Sequence, residues 1–194
     1  MKYKLVAFWL VVFGALFAFL QTRFEYHFYY IEQSQLFLFS EAYIRNKLVL
    51  PGGFSMLVAE FFVQFFIRPY VGALVTAALL TGVGICTAGI VKRIASASGL
   101  FILYVQPMLA LLFMHFDFNY RVQGTVCYLM MTALLCGYIR IRNDLFRLVA
   151  GCVLVPVLFW LAGSIAVLFA GMICLFEGLR KTPKWYISLI GVAE

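Results

Sequence analysis

Residues 22–69 read TRFEYHFYYIEQSQLFLFSEAYIRNKLVLPGGFSMLVAEFFVQFFIRP, too polar to cross lipid easily and too rich in Phe and Tyr to hang free in water. Whether this stretch pierces a bilayer or rests on one decides the topology of everything around it. Phe24, Tyr26, Phe28, Tyr29 and Tyr30 make an aromatic run of the kind that gathers at a bilayer interface. Behind it, Leu36, Phe39 and Tyr43 share one face of an expected amphipathic helix, while Glu41 and Arg45 stand four apart on another and can pair. Pro51-Gly52-Gly53 then breaks the chain. A second helix, expected over residues 54–67, carries Glu60, Gln64 and Arg68 at four-residue steps among Phe61, Phe62, Phe65 and Phe66. At about fourteen residues it is short of the roughly twenty that a crossing needs. Both helices are therefore expected to lie in the outer interface.

The surrounding sequence fits that placement. Apolar stretches run over residues 6–20, 71–91, 100–114 (interrupted at Gln106-Pro107) and 122–139. The run 145–176 is too long for one crossing and divides near Ala162-Gly163-Ser164, which makes six spans. Lys2 and Lys4, Lys92 and Arg93, Arg140, Arg142 and Arg147, then Arg180, Lys181 and Lys184 form four basic clusters between alternate spans. The positive-inside bias puts these clusters and the N-terminus in the cytoplasm. Glu25, Glu32, Glu41, Glu60 and Asp117 then face the other side. If residues 54–67 crossed instead, Lys92 and Arg93 would move outside and the pattern would fail.

The fold class that follows is an all-α, multi-pass membrane protein. It has about six transmembrane helices and two amphipathic interfacial helices in the first external loop. One integral-membrane domain covers the chain: a loop over 22–69, a bundle over 70–179 and the start of a further helix over 184–194. The first span lacks a small-x-small end and reads as an uncleaved anchor. A chain that stops two turns into an apolar segment is expected to be a fragment or truncated product of something longer.

Composition excludes a soluble globular domain. Hydrophobic residues make up 65% and charged residues 12%, about half the charged share of a typical soluble domain. The net charge of +7 sits in short loops between spans, so the lipid bilayer is the expected partner and nucleic acid is not. Cys86, Cys127, Cys136, Cys152 and Cys174 all fall within apolar spans and behave as small hydrophobes. The chain has no phosphate-binding glycine loop, paired-histidine metal motif or nucleophile elbow.

Candidate chemistry comes from the external polar set. Glu32, with Gln33, Ser34 and Gln35, places an acid and amides at the membrane surface. Asp117 is the one acid of the second corner, beside His115, Asn119 and Arg121. Glu32 also reads as ordinary helix-surface charge, and Asp117 as a turn cap or a partner of Arg121. Glu60, with Gln64, needs a partner beside so many phenylalanines, and Arg45, Lys47 or Arg68 could supply one, which would make it structural. His27 and His115 read as interface packing rather than a metal site.

Three strings carry a resemblance: residues 26–37 (YHFYYIEQSQLF), 50–54 (LPGGF) and 60–66 (EFFVQFF). Over roughly the first seventy residues the chain resembles an uncharacterised family of Bacteroidota inner-membrane proteins, whose members are usually much longer. In layout it resembles the module shared by the GT-C glycosyltransferases: a first span, an external loop with two surface helices, then a bundle. That resemblance implies transfer of a sugar or related group from a polyprenyl-phosphate donor on the extracytoplasmic side. Glu32 and Asp117 occupy the first- and second-loop positions of catalytic acids in those enzymes, which commonly have Asp in the first loop where this chain has Glu. Either would serve as general base or hold a divalent cation. Gln35, Arg45, Glu60, Gln64, Arg68 and Arg121 would bind substrate, with Arg45, Lys47, Arg68 or Arg121 neutralising the leaving phosphate. The competing reading is a non-catalytic scaffold, subunit or remnant. Transport ranks last, because spans two to six carry hardly any charge away from their ends.

Overall fold

The computed structural model describes residues 2–95 and 101–180. Among them the chain is helical with no strand: α1 (Lys2–Arg23), α2 (Glu25–Ser34), α3 (Glu41–Leu48), α4 (Gly53–Val63), α5 (Val71–Ala95), α6 (Phe101–Met114), α7 (Val122–Tyr138), α8 (Asp144–Ala162) and α9 (Ile165–Leu179). The further helix expected over 184–194 lies outside the described residues.

The six apolar stretches all become helices, and among the described residues three of them, α1, α5 and α8, are both long and apolar enough to cross a membrane. With 14, 17 and 15 residues, α6, α7 and α9 reach only about 21–26 Å at 1.5 Å per residue. The central helix α5 packs on α1, α6 and α7, and α7 also touches α8 and α9. α6 runs on through Pro107, because Tyr104, Met108 and Leu112 form a buried i, i+4, i+8 stripe that anchors it on both sides of the proline. The long apolar run divides where expected. Gly163 takes φ +72° and ends α8 in a conformation that a side chain resists.

Two departures from the sequence reading lie in the first loop. Three short helices form instead of two, since the aromatic run itself coils into α2 and buries His27, Phe28 and Ile31. Residues 36–40, expected to be helical, are not. Ser40 takes an extended conformation and caps α3, its Oγ accepting the Tyr43 N–H at 3.2 Å. The second departure concerns α4, which ends at Val63, so Gln64 and Arg68 sit in the turns beyond it and not on one helical stripe with Glu60. Nor does α4 lie loosely on a surface. It packs across α7 and α8 and buries Ser55, Leu57, Ala59, Glu60 and Val63. Its start docks on the end of α8, where the Gly52 N–H donates to the otherwise orphaned Trp160 carbonyl at 2.9 Å.

The bundle thus has two distinct ends. One gathers the α6–α7 corner, the α8–α9 turn and the cap formed by α2, α3 and α4: Phe24 stacks on Phe116, and Gln123 reaches Ser55 at 3.3 Å. The other gathers Arg93, Arg140, Arg142 and Arg180 around one cleft. There Arg147, 1% exposed, clamps three helices. It bonds both Glu177 oxygens from α9 and Asp144 Oδ1 (2.8 Å), while the Tyr138 hydroxyl of α7 donates to Glu177 Oε1 (3.0 Å).

Candidate functional site

At the cap end, the α3–α4 hairpin assembles the site. Pro51 and Gly52 turn the chain, and Gly53 lets α4 begin against α3: a Cβ there would sit 1.7 Å from the Lys47 carbonyl oxygen. That close approach brings Lys47 and Glu60 together across the turn. Lys47 Nζ donates to Glu60 Oε1 at 3.0 Å, and the Tyr43 hydroxyl donates to Oε2. Glu60 is 7% exposed, so its carboxylate leaves water for one ammonium and one phenol. Burial first, then the hydrogen bond to Glu60 and its negative charge, push the Tyr43 phenol up to about 12. Tyr43 therefore stays a donor to Glu60 at neutral pH.

This trio opens onto a cleft of about 260 Å³ walled by Gln35 from the end of α2, Glu60 from α4, and Arg121 and Gln123 from the start of α7. Gln123 is fixed from below, its amide donating to Ser55 Oγ, which in turn donates to the Gly52 carbonyl at 2.7 Å. A second concavity of about 440 Å³ adjoins it and shares Arg121 and Gln123. Its walls are mostly apolar, with Gly124, Cys127, Ala162, Ile165 and Leu168 from α7, α8 and α9. A polar chamber and an apolar groove therefore meet at one arginine.

Of the residues expected from sequence, the cleft unites Gln35, Lys47, Glu60 and Arg121. It does not include the others. Glu32 is half-buried in the last turn of α2. Asp117 is exposed, and its Oδ1 accepts the Asn119 N–H at 2.9 Å, the turn-capping role. Arg45 and Glu41 border a separate groove on α3, and no ion pair joins them among the described residues. Arg68 is exposed, while Gln64 is half-buried with its amide nitrogen unpartnered. Lys47, expected among the cations that would neutralise a phosphate, does line the cleft, and it is joined there by Tyr43 and Gln123, which were not among the site residues read from sequence.

Beside the cleft, His115 is 2% exposed and bonds Thr125 through Nε2 at 2.9 Å, with the Tyr120 hydroxyl 3.2 Å from the same Thr125 oxygen. Burial, then the neighbouring His27, hold His115 down to about 4. His27 is itself wedged between Phe24 and Phe118. Among the described residues no three His, Cys, Asp or Glu side chains come together as a metal site.

One family's sequence model matches residues 1–194. The chain belongs to DUF6057, a family of unknown function. For this DUF6057 chain no curated protein and no solved structure matches.

Proposed function

We propose that this DUF6057 chain is a multi-pass membrane protein that holds the phosphate-bearing headgroup of a polyprenyl-type lipid at its capped end. The observation that carries the reading is the meeting of the polar cleft and the apolar groove at Arg121 and Gln123. An amphiphile with one anionic end and one apolar end matches that pair of chambers. Its phosphate would accept from the Arg121 guanidinium, a charge-assisted bond of the kind arginine makes to phosphate. Its chain would run along Ile165 and Leu168.

The bilayer itself is supported by the belt of large apolar side chains left bare on the helix flanks: Leu10, Val11, Ile102, Phe113, Val153, Val167 and Leu175 are all more than half exposed apart from chain contacts. A bilayer would cover these side chains, which a soluble monomer would leave in water. The positive-inside bias orients the arginine end, with the N-terminus, to the cytoplasm of a bacterial inner membrane and the cap to the outside.

Glu60 is best read as the anchor that fixes Lys47 and Tyr43 in the cleft wall, since both its oxygens are engaged. A second reading is transfer of a sugar or related group in the GT-C manner. It is favoured by the chain positions of Glu32, two residues before the cleft residue Ser34, and Asp117, four before Arg121. Either carboxylate would then take the acceptor proton as general base.

A diazirine-bearing polyprenyl phosphate, photolysed in vesicles containing the protein, tests the binding. Labelling should map to peptides around Arg121 and Leu168 and fall in Arg121→Ala, with partial retention in Arg121→Lys. Equal labelling of the wild type and Arg121→Ala would refute the site. Unchanged transfer in Glu32→Gln and Asp117→Asn would remove those two carboxylates from any reaction.

A further inference from the structure

We infer that the opposite end of the bundle carries a separate binding site for a phosphate-bearing anion. The ends of α5, α7 and α9 and the turn into α8 enclose a cleft of about 370 Å³ walled by Arg93, Arg140, Arg142 and Arg180. Four arginines from three segments thus line one hollow.

Orientation signals need only lie on the right side of a membrane and have no reason to meet. Among the described residues the acids at this end neutralise them only in part. Glu177 is taken by Arg147 and Tyr138, and Asp144 Oδ1 lies 2.8 Å from Arg147 but 3.7 Å from Arg180. Among the described residues, no ion pair reaches Arg93, Arg140 or Arg142.

Three helix C-termini supply only about half a negative charge each, which leaves the hollow positive. All four cations are arginines, whose planar fork matches a phosphate bidentately where an ammonium would act as a point charge. Ile139 and Phe176 complete the wall with apolar surface. The shared chemistry is a phosphate monoester or diester; its source is either an anionic lipid headgroup or a soluble phosphate.

The full chain, purified in neutral detergent, separates the sources. In one arm, native mass spectrometry counts phosphatidylglycerol retained from nanodiscs of phosphatidylcholine doped with it. In the other, pyrophosphate is titrated while the melting temperature is followed. Arg140→Ala/Arg142→Ala should weaken whichever binding the wild type shows by about a hundredfold, roughly tenfold per charge-assisted contact. Arg140→Lys/Arg142→Lys should fall between, and Arg121→Ala at the far end should bind as wild type, so this site and the headgroup cleft can fail independently. Phosphatidylglycerol retention without a pyrophosphate shift identifies the lipid; a pyrophosphate shift alone identifies the soluble ion. The inference is overturned if the wild type shows neither, or if the alanine variant binds like the wild type. Should that variant not fold, Arg93→Ala/Arg180→Ala poses the same question from the other wall.

Discussion

Replacing Lys47 by Met takes away the one cation bonded to the Glu60 carboxylate among the described residues and leaves the Tyr43 hydroxyl bonded to it. Removing one member of a fully buried ion pair costs about 3–5 kcal/mol. Here the Lys47 side chain is 21% exposed and that of Glu60 9%, so water recovers part of the loss. About 2 kcal/mol remains, a drop of roughly 4–8 °C in melting temperature for a chain of this size. Lys47→Met/Glu60→Leu removes both charges from the same partly apolar pocket. It should melt above Lys47→Met, with a coupling of about 1–2 kcal/mol across the four-member cycle. Melting of detergent-purified protein, followed by loss of the monodisperse peak, measures all four forms. A Lys47→Met protein that melts with the wild type, or a double variant no more stable than the single, would show that the pair does not hold the hairpin.

Gly53→Ala should unfold the α3–α4 hairpin more severely than its one added methyl suggests, because the clash is with backbone oxygen and no rotamer relieves it; melting and headgroup labelling should fall together. Arg147→Met removes the guanidinium that bonds both Glu177 oxygens and should cost about 3–5 kcal/mol, while Arg147→Met/Glu177→Leu should recover most of it in the same melting assay. Stability should also fall on acidification: the unfolded His115 imidazole takes a proton near 6.5, the folded one only near 4, so stability is full above about pH 6.5 and declines towards pH 4. The melting-temperature profile of His115→Gln should be flatter across that window.

Hydrophobic length made much of the bundle legible. A run from 145 to 176 overshoots any bilayer, and Gly163 was the natural place to turn. The first loop was harder, because its aromatic residues serve two roles with one signature. Phe28 packs against Phe66 in the core, whereas Tyr26 stays exposed, and both are equally plausible interface anchors. Ser40 followed by Glu41 carried a capping signal that would have ended the extended segment correctly. The partner of Glu60 was narrowed to three basic residues, and only the close packing at Gly53 selects Lys47. Glu177 went unread because it sits at the end of an apolar run; a carboxylate there demands a cation on a facing helix, and of the arginines at that end the packing selects Arg147.

The site was legible by region and less so by residue. The first loop and second corner do build the cleft, yet they contribute Gln35, Glu60 and Arg121 to it and not Glu32 or Asp117. Carboxylate position along the chain says nothing of which way α2 and the α6–α7 corner turn. That depends on aromatic packing among Phe24, His27, Phe116 and Phe118, which no local pattern fixes.

The claim that the two ends face opposite sides of a membrane is tested most directly by a single cysteine placed at each. Arg121→Cys and Arg142→Cys, in a background with the five native cysteines replaced, are exposed to a membrane-impermeant maleimide in intact cells and again after permeabilisation. The account predicts labelling of position 121 in intact cells and of position 142 only after permeabilisation. Labelling of both positions in intact cells, or the reverse order, would contradict it.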